Sequence, residues 1–276
     1  MNFISNLKFD VIFLQDTHLT EQKTPFFNTL WQGKAYHSCY KNNSRGSSIL
    51  ISKNIVHEVL TEHTSEGGNY IFLECKIGTK NYLLGRIYGP NRDEPQFYCE
   101  VDGILENAYY DDCIIGGDFN FVIDIHKDSY GYSHDNNIRA KKQFKSVCEK
   151  HNLLDIWRAK NDNAHQYTWY NANASKGARL DMLFVSDHLS NQCSELTTTS
   201  AYRTDHNMLS MKLEIGLPQR GPGLWKFNET TILLNPRRAG GCLNTPFRFF
   251  ADSWKTAARS AAVFGTAVYT SFPHTL

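Results

Sequence analysis

A chain of 276 residues, 41% hydrophobic and 21% charged, has ample material for a core and the balance of an ordinary globular protein. A formal net charge of +1 excludes the global basic field that marks many nucleic-acid binders, and seven cysteines without C-x-x-C or Cys/His spacing exclude a disulfide frame or zinc site. The thiols read as reduced, which points to an intracellular protein. Charge is uneven along the chain. Residues 1–217 carry 22 Lys/Arg against 26 Asp/Glu, whereas 218–276 carry 7 against 2. A mildly acidic body predicts local attraction of phosphate, and an acidic centre needs cations before a phosphate can approach. No stretch reaches membrane-spanning length and the first residues lack a long apolar run, so a soluble, non-secreted monomer with no membrane and no defined protein partner is expected.

The chain is organised as short apolar runs bounded by turn residues. Residues 9–15 (FDVIFLQ) predict a buried strand, followed by strands over 47–52, 70–77 and 81–88. Gly78-Thr79-Lys80 between the last two predicts a hairpin. A helix is expected over 95–109, a strand over 113–116 and a second helix over 137–151, where Ala140, Phe144, Val147 and Cys148 share one face. Strands over 167–170, 180–185 and 208–215 complete the pattern. Many strands with a few intervening helices predict an α/β fold, a sandwich of two sheets. The boundary falls near 216, after which Leu217-Pro218-Gln219-Arg220-Gly221-Pro222-Gly223 reads as a linker. The linker runs over 217–235, and 236–276, rich in Arg, Ala, Gly and Thr with weak periodicity, is expected to be an unrelated, poorly ordered tail.

Five polar signatures fall at predicted strand ends, where rigid backbone can aim side chains at a common cleft: LQDTH (14–18), RIYGPN (86–91), GGDFN (116–120), RLD (179–181) and TDHN (204–207). Each alone reads blandly, as a capped loop, a glycine turn or a solvent-facing Asp-His pair. Together Asp16, Asp118, Asp181, Asp205, His206 and Asn120 supply what phosphodiester hydrolysis requires. A carboxylate-held Mg²⁺ (Mn²⁺ is an alternative) polarises the phosphate, a polarised His stabilises charge, and a carboxylate orients water.

In order and placement these marks resemble the endonuclease/exonuclease/phosphatase superfamily, whose pattern runs LQE(T)H, Y-x-P-N, GGDFN, R-[LI]-D and SDH. YTW (167–169), RGSSILISK (45–53) and GPGLWKFN (221–228) look like LINE-type retrotransposon proteins, in which the last segment leads from the nuclease towards a reverse transcriptase. The resemblance covers residues 9–215 and implies a DNase I-like sandwich acting as a Mg²⁺-dependent endonuclease on duplex DNA, nuclear if functional. It implies a metal-binding role for Asp16 with support from Asp205, and phosphate contact by Tyr88. By the same resemblance Asp118 would orient or deprotonate water, Asn120 would hold phosphate or water, and Asp181 would align a charge-stabilising His206. Candidate DNA contacts are Lys41, Arg45 and Lys53, and a hairpin with Asn171, Ser175 and Lys176; Arg139, Lys141, Lys142 and Lys145 read better as a solvated helix face.

Two departures from the family stand out. Asp16 replaces Glu, shortening a ligand that must reach a metal at about 2.1 Å. The family's first strand, W-N-I-N-G-like and some two dozen residues before LQE, has no counterpart here, which predicts an unpaired strand edge beside residues 11–15. A catalytically inactive remnant and a phosphatase of the same fold therefore stand as rival readings.

Overall fold

The computed structural model describes residues 9–40, 44–201 and 204–215, together with the backbone of one further strand at 262–268. The strands are β1 (Val11–Gln15), β2 (Gly33–Ser38), β3 (Ser47–Ser52), β4 (His57–Thr64), β5 (Tyr70–Ile77), β6 (Lys80–Tyr88), β7 (Asp112–Asp118), β8 (Ser129–Tyr130), β9 (Leu153–Asp155), β10 (Trp169–Tyr170), β11 (Gly177–Ala178), β12 (Asp181–Ser186), β13 (Cys193–Ser200), β14 (Asn207–Leu213) and β15 (Ala262–Val268). The helices are α1 (Thr24–Leu30), α2 (Pro95–Asn107), α3 (Ile125–Asp128), α4 (Ile138–Lys150) and α5 (Ile156–Lys160).

One six-stranded sheet runs β13-β14-β15-β1-β3-β2, a second runs β4-β5-β6-β7-β12-β9, and β10-β11-β8 form a small third sheet. Every residue of β1, β3, β7 and β12 is buried, which is why these segments read as nearly unbroken apolar runs. Val11, Phe13, Ile49 and Ile51 of the first sheet meet Leu84, Ile114, Leu183 and Val185 of the second in the inter-sheet core. The other face of the second sheet packs under α2 and α4 through Phe119, Phe144, Phe184 and Tyr98, whose rings sit 4.8–5.2 Å apart. The fold is the predicted two-sheet α/β sandwich. The β5–β6 turn closes at Ile77↔Lys80, with Gly78 at φ 64°, a value that glycine adopts without a Cβ penalty.

Besides the two- and three-residue β8, β9 and β11 and the late β15, three strands escaped the sequence reading: β2, β4 and β13. All three are sheet edges, and edge strands carry polar residues that break apolar runs and discourage further pairing.

The expected open edge beside β1 is not found. β15 lies there, parallel to β1 from Val11↔Phe264 to Gln15↔Val268 and antiparallel to β14 from Leu209↔Thr266 to Leu213↔Ala262. The backbone donors and acceptors of β1 lie deep in the protein and require partners, and AVFGTAV, rich in small and β-branched residues, supplies an extended segment. The tail expected to be poorly ordered thus contributes a central strand. The 217–235 linker and the remainder of 236–276 lie outside the described residues, as does Lys41.

Candidate active site

Strand register gathers the polar signatures. In the second sheet Tyr88 of β6 pairs with Asp118 of β7, and Asp118 pairs with Asp181 of β12, so three side chains form one row at the same end of the sheet. Gln15, the last residue of β1, reaches across from the first sheet. Its Nε2 donates to Asp181 Oδ1 at 3.0 Å, and its Oε1 accepts the Asp118 backbone N–H at 3.0 Å. His206, immediately before β14, donates from Nδ1 to Asp181 Oδ2 at 2.7 Å. Tyr88, Asp118, Gln15 and His206 form part of the wall of a cleft of about 860 Å³ that Asp16, Asn120, Trp169 and Asp205 also line.

The carboxylates diverge electrostatically. Burial, then the neighbouring Asp181 charge, pushes Asp118 up to about 6. Burial also acts to raise Asp181, but the charge and hydrogen bond of His206 outweigh it and hold Asp181 below the usual carboxylate range. For His206 burial acts downward, while Asp181 and then Asp118 and Asp205 lift it from the usual 6.5 to about 9. At neutral pH the Asp181–His206 pair is carboxylate and imidazolium. The Tyr88 hydroxyl is pushed up to about 12, first by burial and then by Asp16 and Asp118, and stays a neutral donor.

The remaining predicted residues surround this row. Asp16 and Asn120 hold left-handed backbone (φ 51° and 54°), strain that clusters at functional loops. Asp16 Oδ1 lies 3.0 Å from His18 Nε2. Its loop is pinned by His18 N–H donating to Arg45 O at 2.7 Å and Thr17 N–H donating to Gly46 O at 3.2 Å. Asn120 donates one amide hydrogen to Gly89 O at 2.6 Å, and its own N–H donates to Asp118 Oδ1 at 2.8 Å. Asp205 is exposed, with Oδ2 accepting from Trp169 Nε1 at 2.8 Å. Among the described residues no three His, Cys, Asp or Glu form a closed metal cage. Mg²⁺ uses one or two carboxylates plus waters, so the hard oxygen donors of Asp16, in a cleft shared with Asp118 and Asp205, fit such an ion.

Arg45 stacks over Tyr40 at 5.4 Å and reaches Asn69 at 3.3 Å, on a groove outside the cleft. Asn171 and Ser175 tie the β10–β11 loop to itself through a 3.0 Å side-chain bond, and Lys176 lies 5.1 Å over Tyr132. Arg139, which pairs with Asp93 at 3.1 Å, is exposed along with Lys142 and Lys145, as expected of a solvated helix face, whereas Lys141 is buried against Asp135.

The model of the Endonuclease/Exonuclease/phosphatase family matches residues 1–206. The chain belongs to that family. A relative outside the solved structures is the Transposon TX1 uncharacterized 149 kDa protein of Xenopus laevis, 24% identical over 242 residues, 84% of this chain but 18% of that protein. The chain thus spans under a fifth of that relative's length. Among solved structures, the AP endonuclease LMAP from Leishmania major aligns with a TM-score of 0.61 at 18% identity over 75% of this chain and 78% of that one. A Neisseria 3′ phosphatase bound to product DNA hairpin aligns at 0.57 and 14%, over 75% of this chain and 89% of that one. At such identities these structures share the fold of the family.

Three residues that complete this Endonuclease/Exonuclease/phosphatase site were not singled out from sequence. Gln15 ties the two sheets at the cleft floor; its signal was the motif LQDTH itself. Trp169 holds Asp205. Thr168 Oγ1 accepts the backbone N–H groups of Leu180 at 3.0 Å and Asp181 at 2.9 Å, fixing the start of β12. Both lay within YTW. Thr168→Val keeps the shape and strands two buried donors, so chemical denaturation is expected to show a loss of about 2 kcal/mol or more. An unchanged midpoint would show those donors satisfied elsewhere.

Arg179 of RLD is structural. Its Nε donates to Asp128 Oδ1 and its Nη2 to Asp155 Oδ2, each at 2.7 Å, anchoring the strand entry beneath the site.

Proposed function

We propose that this chain is a divalent-metal-dependent DNA endonuclease that nicks duplex DNA and leaves a 3′-hydroxyl, acting in the nucleus as part of a retrotransposon-type protein. The observation that carries the reading is the pair Asp118 and Asp181. They are direct neighbours on paired strands with protonation behaviour pushed in opposite directions, which assigns one as base and the other as the partner of an acid. The transposon relative and the DNA hairpin held by a protein of the same fold support nucleic acid as the substrate.

In this reading Asp118, pushed up to about 6, takes a proton from the attacking water, and Asn120 helps to hold that water or the phosphate. The His206 imidazolium, turned by Asp181 so that Nε2 is free for the cleft, donates to a phosphate oxygen and meets developing charge. The Tyr88 phenol donates to a second oxygen. Asp16 would hold the cation with support from Asp205, and the cation would supply Lewis-acid polarisation of the phosphate and stabilisation of the leaving oxygen. In the same reading Arg45, Asn171, Ser175 and Lys176 would contact the DNA. One observation favours an inactive domain instead: an Asp16 oxygen is already engaged by His18.

A supercoiled-plasmid nicking assay with folded protein decides between them. Nicking that requires Mg²⁺ or Mn²⁺, stops with EDTA and is lost in Asp118→Asn is expected. No nicking from wild-type protein with a normal thermal transition would sink the endonuclease reading.

The pH profile should be bell-shaped, rising as Asp118 ionises near 6 and falling as His206 loses its proton near 9. The stability sign follows separately. Because the folded His206 value is raised, its contribution is complete below 6.5 and is lost as pH rises through about 9. Midpoints at pH 6 and pH 10 should therefore differ less in His206→Gln than in wild type.

A further inference from the structure

Arg86 is the largest side chain with no exposed surface, and it carries a permanent charge. It stands on β6 opposite Gly116 of β7, which in turn faces Leu183 of β12. Strand periodicity puts Arg86 on the same face as Tyr88, in the row directly beneath Tyr88, Asp118 and Asp181. Gly116 has no side chain to fill that row, and Arg86 Nη1 donates to its carbonyl at 3.3 Å. A Cβ added at Gly117 would stand 2.0 Å from the same Nη1. The glycine pair of GGDFN is thus the space a guanidinium occupies beneath the acids.

That guanidinium is poorly satisfied for a buried cation. Nε and Nη2 have no hydrogen-bond partner, and Arg86 makes no ion pair among the described residues. The contrast is Arg179, equally hidden, which is held by two carboxylates. A buried charge without a close partner is costly unless a more distant field compensates it. The charged groups that act on Arg86 favourably are those of the site: Asp181 first, then Asp118 and Asp16.

We propose that Arg86 is a fixed internal countercharge to the Asp118–Asp181 row, a positioning residue that offsets the crowding of negative charge there without a bound cation and weakens the cleft's attraction for divalent metal. The metal clause rests on reading the cleft as a cation site; the countercharge does not.

The test is a double-mutant cycle of Arg86→Met and Asp118→Asn, read as thermal midpoints in EDTA at pH 8, with Mn²⁺ titrated calorimetrically into each protein. Arg86→Met should melt about 5 °C lower, and the double variant should recover at least half of the fall, because both members of the balance are gone. It should also bind Mn²⁺ about tenfold more tightly than wild type, while Arg86→Lys, which keeps the charge, should not. A merely structural arginine predicts the opposite sign, since a loosened site holds metal less well. Additive midpoints, or Mn²⁺ bound equally or more weakly by Arg86→Met, would overturn the proposal. Should Arg86→Met alone fail to fold, recovery of folding in the double variant supports the countercharge, and failure of both overturns it. If wild type binds no Mn²⁺, the cation reading of the cleft fails while the stability cycle still decides the role of Arg86.

Discussion

His206→Ala is expected to reduce Mg²⁺-dependent nicking by at least about a thousandfold, the scale on which preorganised electrostatic groups act. His206 is the member of the row whose free nitrogen faces the cleft while its other nitrogen is held at 2.7 Å by a buried carboxylate. The substitution removes a positive donor from the site and leaves Asp181 buried without its cation. A stability loss on the order of a few kcal/mol accompanies it, as for any buried pair with one partner deleted. Activity loss could then be mistaken for unfolding. His206→Gln separates the two, because its amide can still donate to Asp181 but carries no charge. It should recover most of the thermal midpoint and little of the rate. Recovery of both would mean that His206 works through placement of Asp181 alone.

Thr266→Pro is the second large effect. Thr266 stands at the middle of β15, facing Phe13 on one side and Leu209 on the other. Proline there deletes a ladder donor and clashes within a central strand, costing about 2–4 kcal/mol. For a protein of this size the midpoint should fall by roughly 5–15 °C. Nicking should fall with it, because β15 joins the strand that leads into Asp16 to the strand that follows His206. Circular dichroism melts of the variant and of a chain lacking 262–268 give the answer. An unchanged midpoint in both would remove β15 from the sheet. A synthetic peptide spanning the strand should partly restore the deleted chain, since an open slot between two strands accepts an added one through main-chain bonds.

The inner architecture was legible in the residues, and the reason is burial. Strands covered on both faces, such as Ser47–Ser52 and Tyr70–Ile77, are written as apolar runs with boundaries that match the structure. The two long helices were legible because their apolar residues recur at helical spacing. The edge strands β2, β4 and β13 were not, since His57–Thr64, for example, mixes exposed and half-buried, mostly polar residues that a loop would also carry. At the site, the gathering of Asp118, Asp181 and His206 was legible because each motif falls at a strand end. Arg86 could not be weighed. Its significance depends on a register that sets it beneath two carboxylates and on Gly116 leaving that place vacant. Nor could β15 be found, because a short run of Ala, Val and Thr far along the chain says nothing about which gap it will fill.

That placement has a kinetic cost. Val11 and its partner Phe264 are roughly 250 residues apart, so one central ladder closes only after residue 268 has left the ribosome. At usual synthesis rates β1 waits on the order of tens of seconds for its neighbour. During that interval β1, β3 and β2 can pair as antiparallel neighbours, but one flank of the emerging sheet stays bare. Such an edge is a template for pairing with other nascent chains, and contacts of this sequence separation form slowly. Yield of soluble protein should therefore depend on translation speed and on chaperones that shield β1 until residues 262–268 emerge.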